Sequence, residues 1–337
     1  MTDVTERTGS RTTLDLRVGD LVEVLSIDEI LATLDDRGEL ESLPFMPEMT
    51  VFCGRRMTVH KVAHKVCNPM TRTGMRSMTR AVHLTEARCD GSAHGGCQTA
   101  CSLYWKEAWL KRVAPDDALS KPTPGVGMGG RPSLPLLDIN ARKAVGEDGE
   151  PRYSCQATEI LRAAPTPLPM RDMSQFVTDY RTGNAGILVI GRSMLVGYFN
   201  RLQALSARVL PQRFRLRKGL PWPFVEGRVR GQTPTGTLNL QPGELVRVKS
   251  KEEILATLND QLLNRGMGFE GEMSRFCGRT AIVQSRVERC LDERTGRMLT
   301  MKSPCIVLEK VVCEGAYHAV CPREYVPFWR EVWLERV

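Results

Sequence analysis

One stretch of this chain is written twice. Residues 19–113 and 243–337 share their landmarks 224 positions apart. Gly19-Asp20-Leu21-Val22 meets Gly243-Glu244-Leu245-Val246, and Phe52-Cys53-Gly54-Arg55 meets Phe276-Cys277-Gly278-Arg279. Cys89, His94 and Cys97 meet Cys313, His318 and Cys321, and Trp105 and Trp109 meet Trp329 and Trp333. Such a chain is expected to fold as two like units. Cysteines that recur at one offset belong to that unit, and thiolates grouped in this way usually bind a metal or a metal–sulfur cluster.

The rest of the chain narrows the setting. Residues 1–18 are polar, expected to be disordered, and hold no apolar run of the kind an export signal needs. The apolar stretch 186–210 is broken by Arg192, Asn200 and Arg201, so no membrane span is expected. A cytoplasmic location is then the default. There, 11 cysteines in 337 residues point to metal or redox chemistry rather than to a disulfide scaffold. The formal net charge of +8 could serve nucleic acid or an acidic substrate. No compact Lys/Arg run stands out, so only weak, salt-sensitive nucleic-acid binding is expected.

The expected fold is mainly β with α: two tandem SH3-like small barrel repeats, 19–113 and 243–337, separated by a helical insert. Each repeat opens on an alternating strand, then a short helix announced by a capping box, Ser26 with Glu29 and Ser250 with Glu253. Thr280–Val287 and Cys305–Val312 read as strands of a hairpin, with a turn at Asp292–Gly296. Cys97, Cys101, Trp105 and Trp109 are spaced by four, which predicts a helix that closes the first repeat with both thiols on one face. Residues 114–153 read as a Pro/Gly-rich linker, and 154–242 as the helical insert with a basic connector.

The candidate metal ligands are Cys53, Cys67, Cys89, His94, Cys97 and Cys101 in the first copy. In the second they are Cys277, Cys290, Cys313, His318, Cys321 and Tyr325. Cys67 and Cys290 miss the common offset by one residue, and Tyr325 stands where the first copy has Cys101. Three readings compete. An iron–sulfur cluster in each copy would use the Cys-x7-Cys-x3-Cys run on its Gly-containing loop. Structural zinc wants four N/S ligands, commonly from Cys-x2-Cys knuckles, and this chain has none. Buried free cysteines, packing as small apolar side chains, are the third. His60, His64 and His83 have no counterpart in the second copy and read as surface or core residues. Cys155 and Cys305 stand outside the duplicated set. No catalytic residue can be named, and no P-loop, dinucleotide fingerprint or His-Glu-x-x-His motif occurs.

Phe45-Met46-Pro47-Glu48-Met49 with Cys53-Gly54-Arg55, and Cys89-Asp90-Gly91-Ser92-Ala93-His94-Gly95-Gly96-Cys97 with Trp105 to Leu110, resemble a cysteine-rich bacterial family. Its members tend to sit beside biosynthetic genes for polysaccharides or specialised metabolites. The resemblance covers the first copy strongly and the second more weakly, and it implies a biosynthetic role without supplying catalytic residues. The leading expectation is an iron–sulfur protein of bacterial biosynthesis, acting in redox, sulfur handling or metal-dependent tailoring. It would work on a small-molecule substrate or with a redox or sulfur-transfer partner protein. The alternative is a non-catalytic, zinc-stabilised binding module, with nucleic acid as its candidate ligand.

Overall fold

The computed structural model describes residues 14–68, 74–114, 134–223 and 225–337. The expectations for residues 1–13 and for the linker residues 115–133 lie outside them.

Each half opens on a four-residue strand, Leu21–Val24 and Leu245–Val248, in which the valines alternate into the core. A capped helical turn follows, Ile27–Leu31 and Lys251–Leu255. The Ser26 and Ser250 side chains accept the amides of Glu29 and Glu253, whose carboxylates return to the serine amides. The first strand lies between Arg56–Val62 and Leu110–Arg112, with Ala81–Arg88 and Ser102–Lys106 completing a five-stranded antiparallel sheet. The second half has a four-stranded sheet: Leu245–Val248 lies between Thr280–Leu291 and Leu334–Arg336, and Met298–Leu308 forms the edge. The registers match at the sequence offset, Leu21 opposite Thr58 and Leu245 opposite Ile282, Val22 opposite Arg112 and Val246 opposite Arg336. The result is two curled half-barrel sheets in a mixed strand-and-helix chain, compatible with two barrel-like domains. The expected hairpin is present, with the turn between Leu291 and Met298.

Aromatic rings centre each core in the same way. Phe45 stands edge-on to Trp105 and Trp109, with centroids at 6.2 and 5.2 Å, and Phe269 stands edge-on to Trp329 and Trp333 at 6.3 and 5.5 Å. The second tryptophan of each pair donates its indole N–H to a threonine hydroxyl, Trp109 to Thr33 at 3.1 Å and Trp333 to Thr257 at 2.8 Å.

The helix expected from Cys97 to Trp109 does not form. Residues 97–101 are loop, Ser102–Lys106 is a strand, and Glu107–Trp109 is a single 3-10 turn. Leu103, Tyr104 and Trp105 favour a pleated, buried strand, and here they pair with Ala81–Arg88, Val82 opposite Trp105. The tryptophan spacing of four comes from the bend after that strand, which turns both rings toward Phe45.

The insert does contain helices, at Gln156–Ala163, Ser174–Thr182 and Ile187–Val209. It is not a layer apart. Ile160, Ala163 and Ala164 join the first core. Strand Thr166–Leu168 pairs with Met75–Ser77, which pairs in turn with Lys65–Cys67. Lys65 and Asp179, both without solvent exposure, form an ion pair at 2.5 Å that fixes helix Ser174–Thr182 to this small sheet. Residues 134–153 carry a helix, Pro135–Asn140, and a short hairpin, so the linker reading does not hold for them. No described helix is long and apolar enough to cross a membrane.

Glu159 ties the insert helix to its surroundings through Lys143 at 2.5 Å, and it also pairs with Arg162 of the same helix at 2.7 Å, which in turn holds Glu39 of the first half at 2.7 Å. Burial alone would raise this carboxyl, but the Lys143 and Arg162 hydrogen bonds outweigh it and hold it at about 2, below its ordinary 4.5. A folded-state pKa below the unfolded value contributes stability above the unfolded pKa and loses it as pH falls through the folded one. The stability gap between wild type and Glu159→Gln is therefore expected to narrow as pH drops from about 4.5 to about 2. Denaturant titrations across that window test this, and a gap independent of pH would contradict it.

Candidate metal centre

The site is built on a tight loop between two strands. After Ala81–Arg88 the chain turns at Gly91, with φ +70°, and the Gly91 carbonyl accepts the amides of His94 at 3.2 Å and Gly96 at 3.0 Å. A Cβ at Gly91 would run into the Cys97 carbonyl, so the Cys-Asp-Gly sequence needs its glycine for both backbone angle and close approach. The Cys89 amide donates to the Cys101 carbonyl at 2.9 Å and closes the loop at its base. The second half repeats the design. Gly315 has φ +66°, its carbonyl accepts the amides of His318 and Val320, and the Cys313 amide donates to Tyr325.

The 3-10 segment Pro47–Phe52 delivers a residue that counting cysteines and histidines missed. Glu48, 3% exposed, places Oε1 3.2 Å from Cys89 Sγ and 3.3 Å from His94 Nδ1. His94 Nε2 is 3.6 Å from the same sulfur. Ligand atoms of Glu48, Cys89 and His94 all lie within 4.8 Å of one another. Two polar atoms of this cluster are buried without a hydrogen-bond partner: Glu48 Oε2, and His94 Nδ1, which is near the carboxylate but poorly aligned. A signal for the glutamate was available. Glu272 follows Gly271 as Glu48 follows Pro47, 224 positions on. It too is buried and accepts the Tyr317 amide at 2.6 Å, but its Oε2 pairs with Arg275 at 3.5 Å.

Electrostatics follow from this burial. The Cys89 thiol is pushed up by burial and then by the Glu48 charge, which disfavours a free thiolate there. Burial disfavours the His94 imidazolium, but the neighbouring Cys97 and then the Glu48 carboxylate outweigh it and lift the ring to about 9. The Cys97 thiol moves the other way. Burial would raise it, yet His94, Thr99 and the Leu291 amide bring it below its ordinary range. A thiol nucleophile at Cys89 is poorly served by these shifts. A cation among the three donors would balance the carboxylate and the thiolate together.

Other expected ligands are distributed as follows. Cys101 and Cys155 line the cavity beside Cys89, His94 and Cys97, with Arg323 and Tyr325 reaching in from the second half. Burial pushes Cys101 up and Cys155 up to about 12. Cys53 is buried in the first apolar core, and Cys277 packs half-buried against the second. Burial pushes both to about 11, and no charged partner joins either to a loop among the described residues. Cys67 is not at the first site, because its strand carries it to Cys321. The Cys321 contact first, with Arg323 and His318 beyond it, holds the Cys67 thiol below the ordinary range against burial. Cys290 lies in strand Thr280–Leu291, and burial first, then the Cys97 charge, pushes it up to about 12. Tyr325 is half-buried, and loss of water contact raises its phenol. His60 pairs with Glu324 at 2.7 Å and His64 lies against Asp179. His83 is buried, with burial lowering it to about 4, so none of the three joins the site. Cys305 is buried in strand Met298–Leu308, and Cys155 caps the insert helix.

Comparison with protein-family models, curated proteins and solved structures finds no match to this chain.

Gly91→Ala is expected to open the loop. The left-handed backbone costs a non-glycine residue about 1–2 kcal/mol, and displacing the Cys97 carbonyl adds to it. Chemical denaturation measures the loss, and wild-type stability in this variant would contradict the loop geometry.

Proposed function

We propose that this chain is a metal protein whose first half holds one zinc-type ion between Glu48, Cys89 and His94. The observation that carries the reading is a carboxylate, a thiol and an imidazole converging within 4.8 Å, with Glu48 Oε2 buried and unpartnered. Mixed O, S and N donors of this kind suit zinc. Cys97, hydrogen-bonded to Thr99 at 3.2 Å, is the nearest candidate for a further ligand. A zinc ion with three protein ligands and an open position activates water or polarises a carbonyl. This chain's own residues would do the rest. The Gly91 turn sets His94, the Pro47–Phe52 segment sets Glu48, and Tyr104, Gln156, Arg323 and Tyr325 line the cavity where a small molecule would lie.

The role we infer is metal-dependent tailoring in bacterial biosynthesis, in the reducing setting of the cytoplasm. It is supported by the loop's resemblance and by the cavity against the ligands. We also read the two curled sheets as SH3-like barrels that arose by duplication, on the strength of their matched registers. An iron–sulfur cluster is the second reading, favoured by Cys97, Cys101 and Cys155 around the same cavity.

Metal and acid-labile sulfide analysis of anaerobically purified protein separates the two. A colourless, zinc-containing protein is expected, with Glu48→Gln and His94→Ala each losing first-site zinc. Brown protein with labile sulfide would move the assignment to the cluster, and metal-free wild-type protein would overturn both.

A further inference from the structure

The net charge of the chain is concentrated in the insert. Residues 180–225 hold eight Lys or Arg and no Asp or Glu. The other 39 basic residues balance the 39 acidic ones, so this segment carries the whole formal charge of +8. Its centre is helix Ile187–Val209, which docks by one side only. Ile190, Ser193 and Gln203 are buried, and Ile190 and Met194 pack in a small apolar cluster with Phe176. The opposite side carries Leu188, Leu195, Leu202 and Val209, spaced by seven and 86, 73, 66 and 80% exposed, with Tyr198 and Leu205 beside them. At 3.6 residues per turn these six form one stripe along about 30 Å of helix. Arg192 falls on one flank of the stripe and Arg201 and Arg208 on the other, all three exposed. The chain after the helix adds two more exposed apolar side chains. Arg215 donates to the Ala207 and Leu210 carbonyls at 2.7 and 2.8 Å, and Gln203 donates to the Leu216 carbonyl at 2.6 Å. These bonds hold Phe214 and Leu216 close to the helix end, both exposed.

We propose that this stripe docks the protein on an anionic phospholipid bilayer, with the helix lying flat, its leucines among the acyl chains and its arginines on lipid phosphates. A contiguous apolar stripe left in water on this scale marks an interaction surface. The flanking charge selects the partner. A helix with an apolar face edged by arginines lies in the plane of a bilayer interface, where the long arginine stems reach back to phosphate level. Tyr198, apolar in its ring and polar at its tip, suits the same level. A second copy of this chain is a poor occupant, because it would bring eight positive charges against eight. Nucleic acid would take the arginines and leave the leucines in water. The helix is already folded and docked on its inner side, so binding costs little ordering. Docking of this kind needs no spanning helix. It stands whether or not Glu48, Cys89 and His94 hold metal.

The test is co-flotation of the full-length protein with vesicles at physiological ionic strength. One set is two parts phosphatidylcholine to one part phosphatidylserine, and the other is phosphatidylcholine alone. Wild type is expected to float with the anionic vesicles, to bind the neutral ones about tenfold less, and to lose binding as salt screens the charge. Failure to float with either set would overturn the proposal, and so would equal binding to both. These arms need no variant to fold. Leu195→Ser combined with Leu202→Ser is expected to weaken anionic-vesicle binding by about tenfold or more. Arg201→Gln combined with Arg208→Gln is expected to weaken it severalfold, and thermal melting at the wild-type temperature checks that both variants are folded. Undiminished binding by the folded leucine variant would leave charge attraction alone and overturn the docking stripe. Sedimentation velocity without lipid should show a monomer. A wild-type dimer that dissociates in the leucine variant would place a second copy on the stripe and overturn the proposal too.

Discussion

A buried carboxylate beside a buried thiol and imidazole is the constraint around which the first half is arranged. Glu48 is almost wholly removed from water, and one of its oxygens touches both Cys89 and His94. Apolar surroundings penalise an uncompensated charge by several kcal/mol, so a chain that keeps such a group needs a positive partner. The neighbouring architecture serves that cluster. The 3-10 segment carries Glu48, the turn at Gly91 brings His94 and Cys97 back over Cys89, and the strand Ser102–Lys106 anchors the loop exit. The second half repeats the same parts with Glu272, Gly315, Cys313 and His318.

The halves also depend on each other. Gln98 and Cys97 bind the backbone of strand Thr280–Leu291, and Cys67 binds Cys321. Arg323, buried and paired with Glu293 at 2.5 Å, stands between the first cavity and the inter-half groove. The insert helices are fastened to the first half by Lys65–Asp179 and by Gln156, whose side chain exchanges hydrogen bonds with both backbone groups of Tyr104. The two loops share one backbone design, and these crossed contacts make them a single assembly.

Much of this was legible in the chain. The constant offset located equivalent strands, the serine–glutamate capping boxes located both short helices, and the paired cysteines located both loops. Three things were hidden. The tryptophan spacing imitated a helix because strand, bend and 3-10 turn can place aromatic residues at the same interval. Glu48 and Glu272 went unnoticed because an acidic residue in a linear sequence looks solvated until its burial is known, although both stood at the common offset. The exchange of Cys67 and Cys290 between halves was beyond reach, since spacing along a chain says nothing about which copy a strand end meets.

X-ray absorption at the zinc edge of the as-purified protein tests the central claim most directly. The account predicts sulfur scatterers at about 2.3 Å together with nitrogen or oxygen scatterers at about 2.0 Å, the mixed shell that thiolate, imidazole and carboxylate ligands produce. Zinc surrounded only by light atoms, or iron in a sulfide cluster in place of zinc, would contradict it.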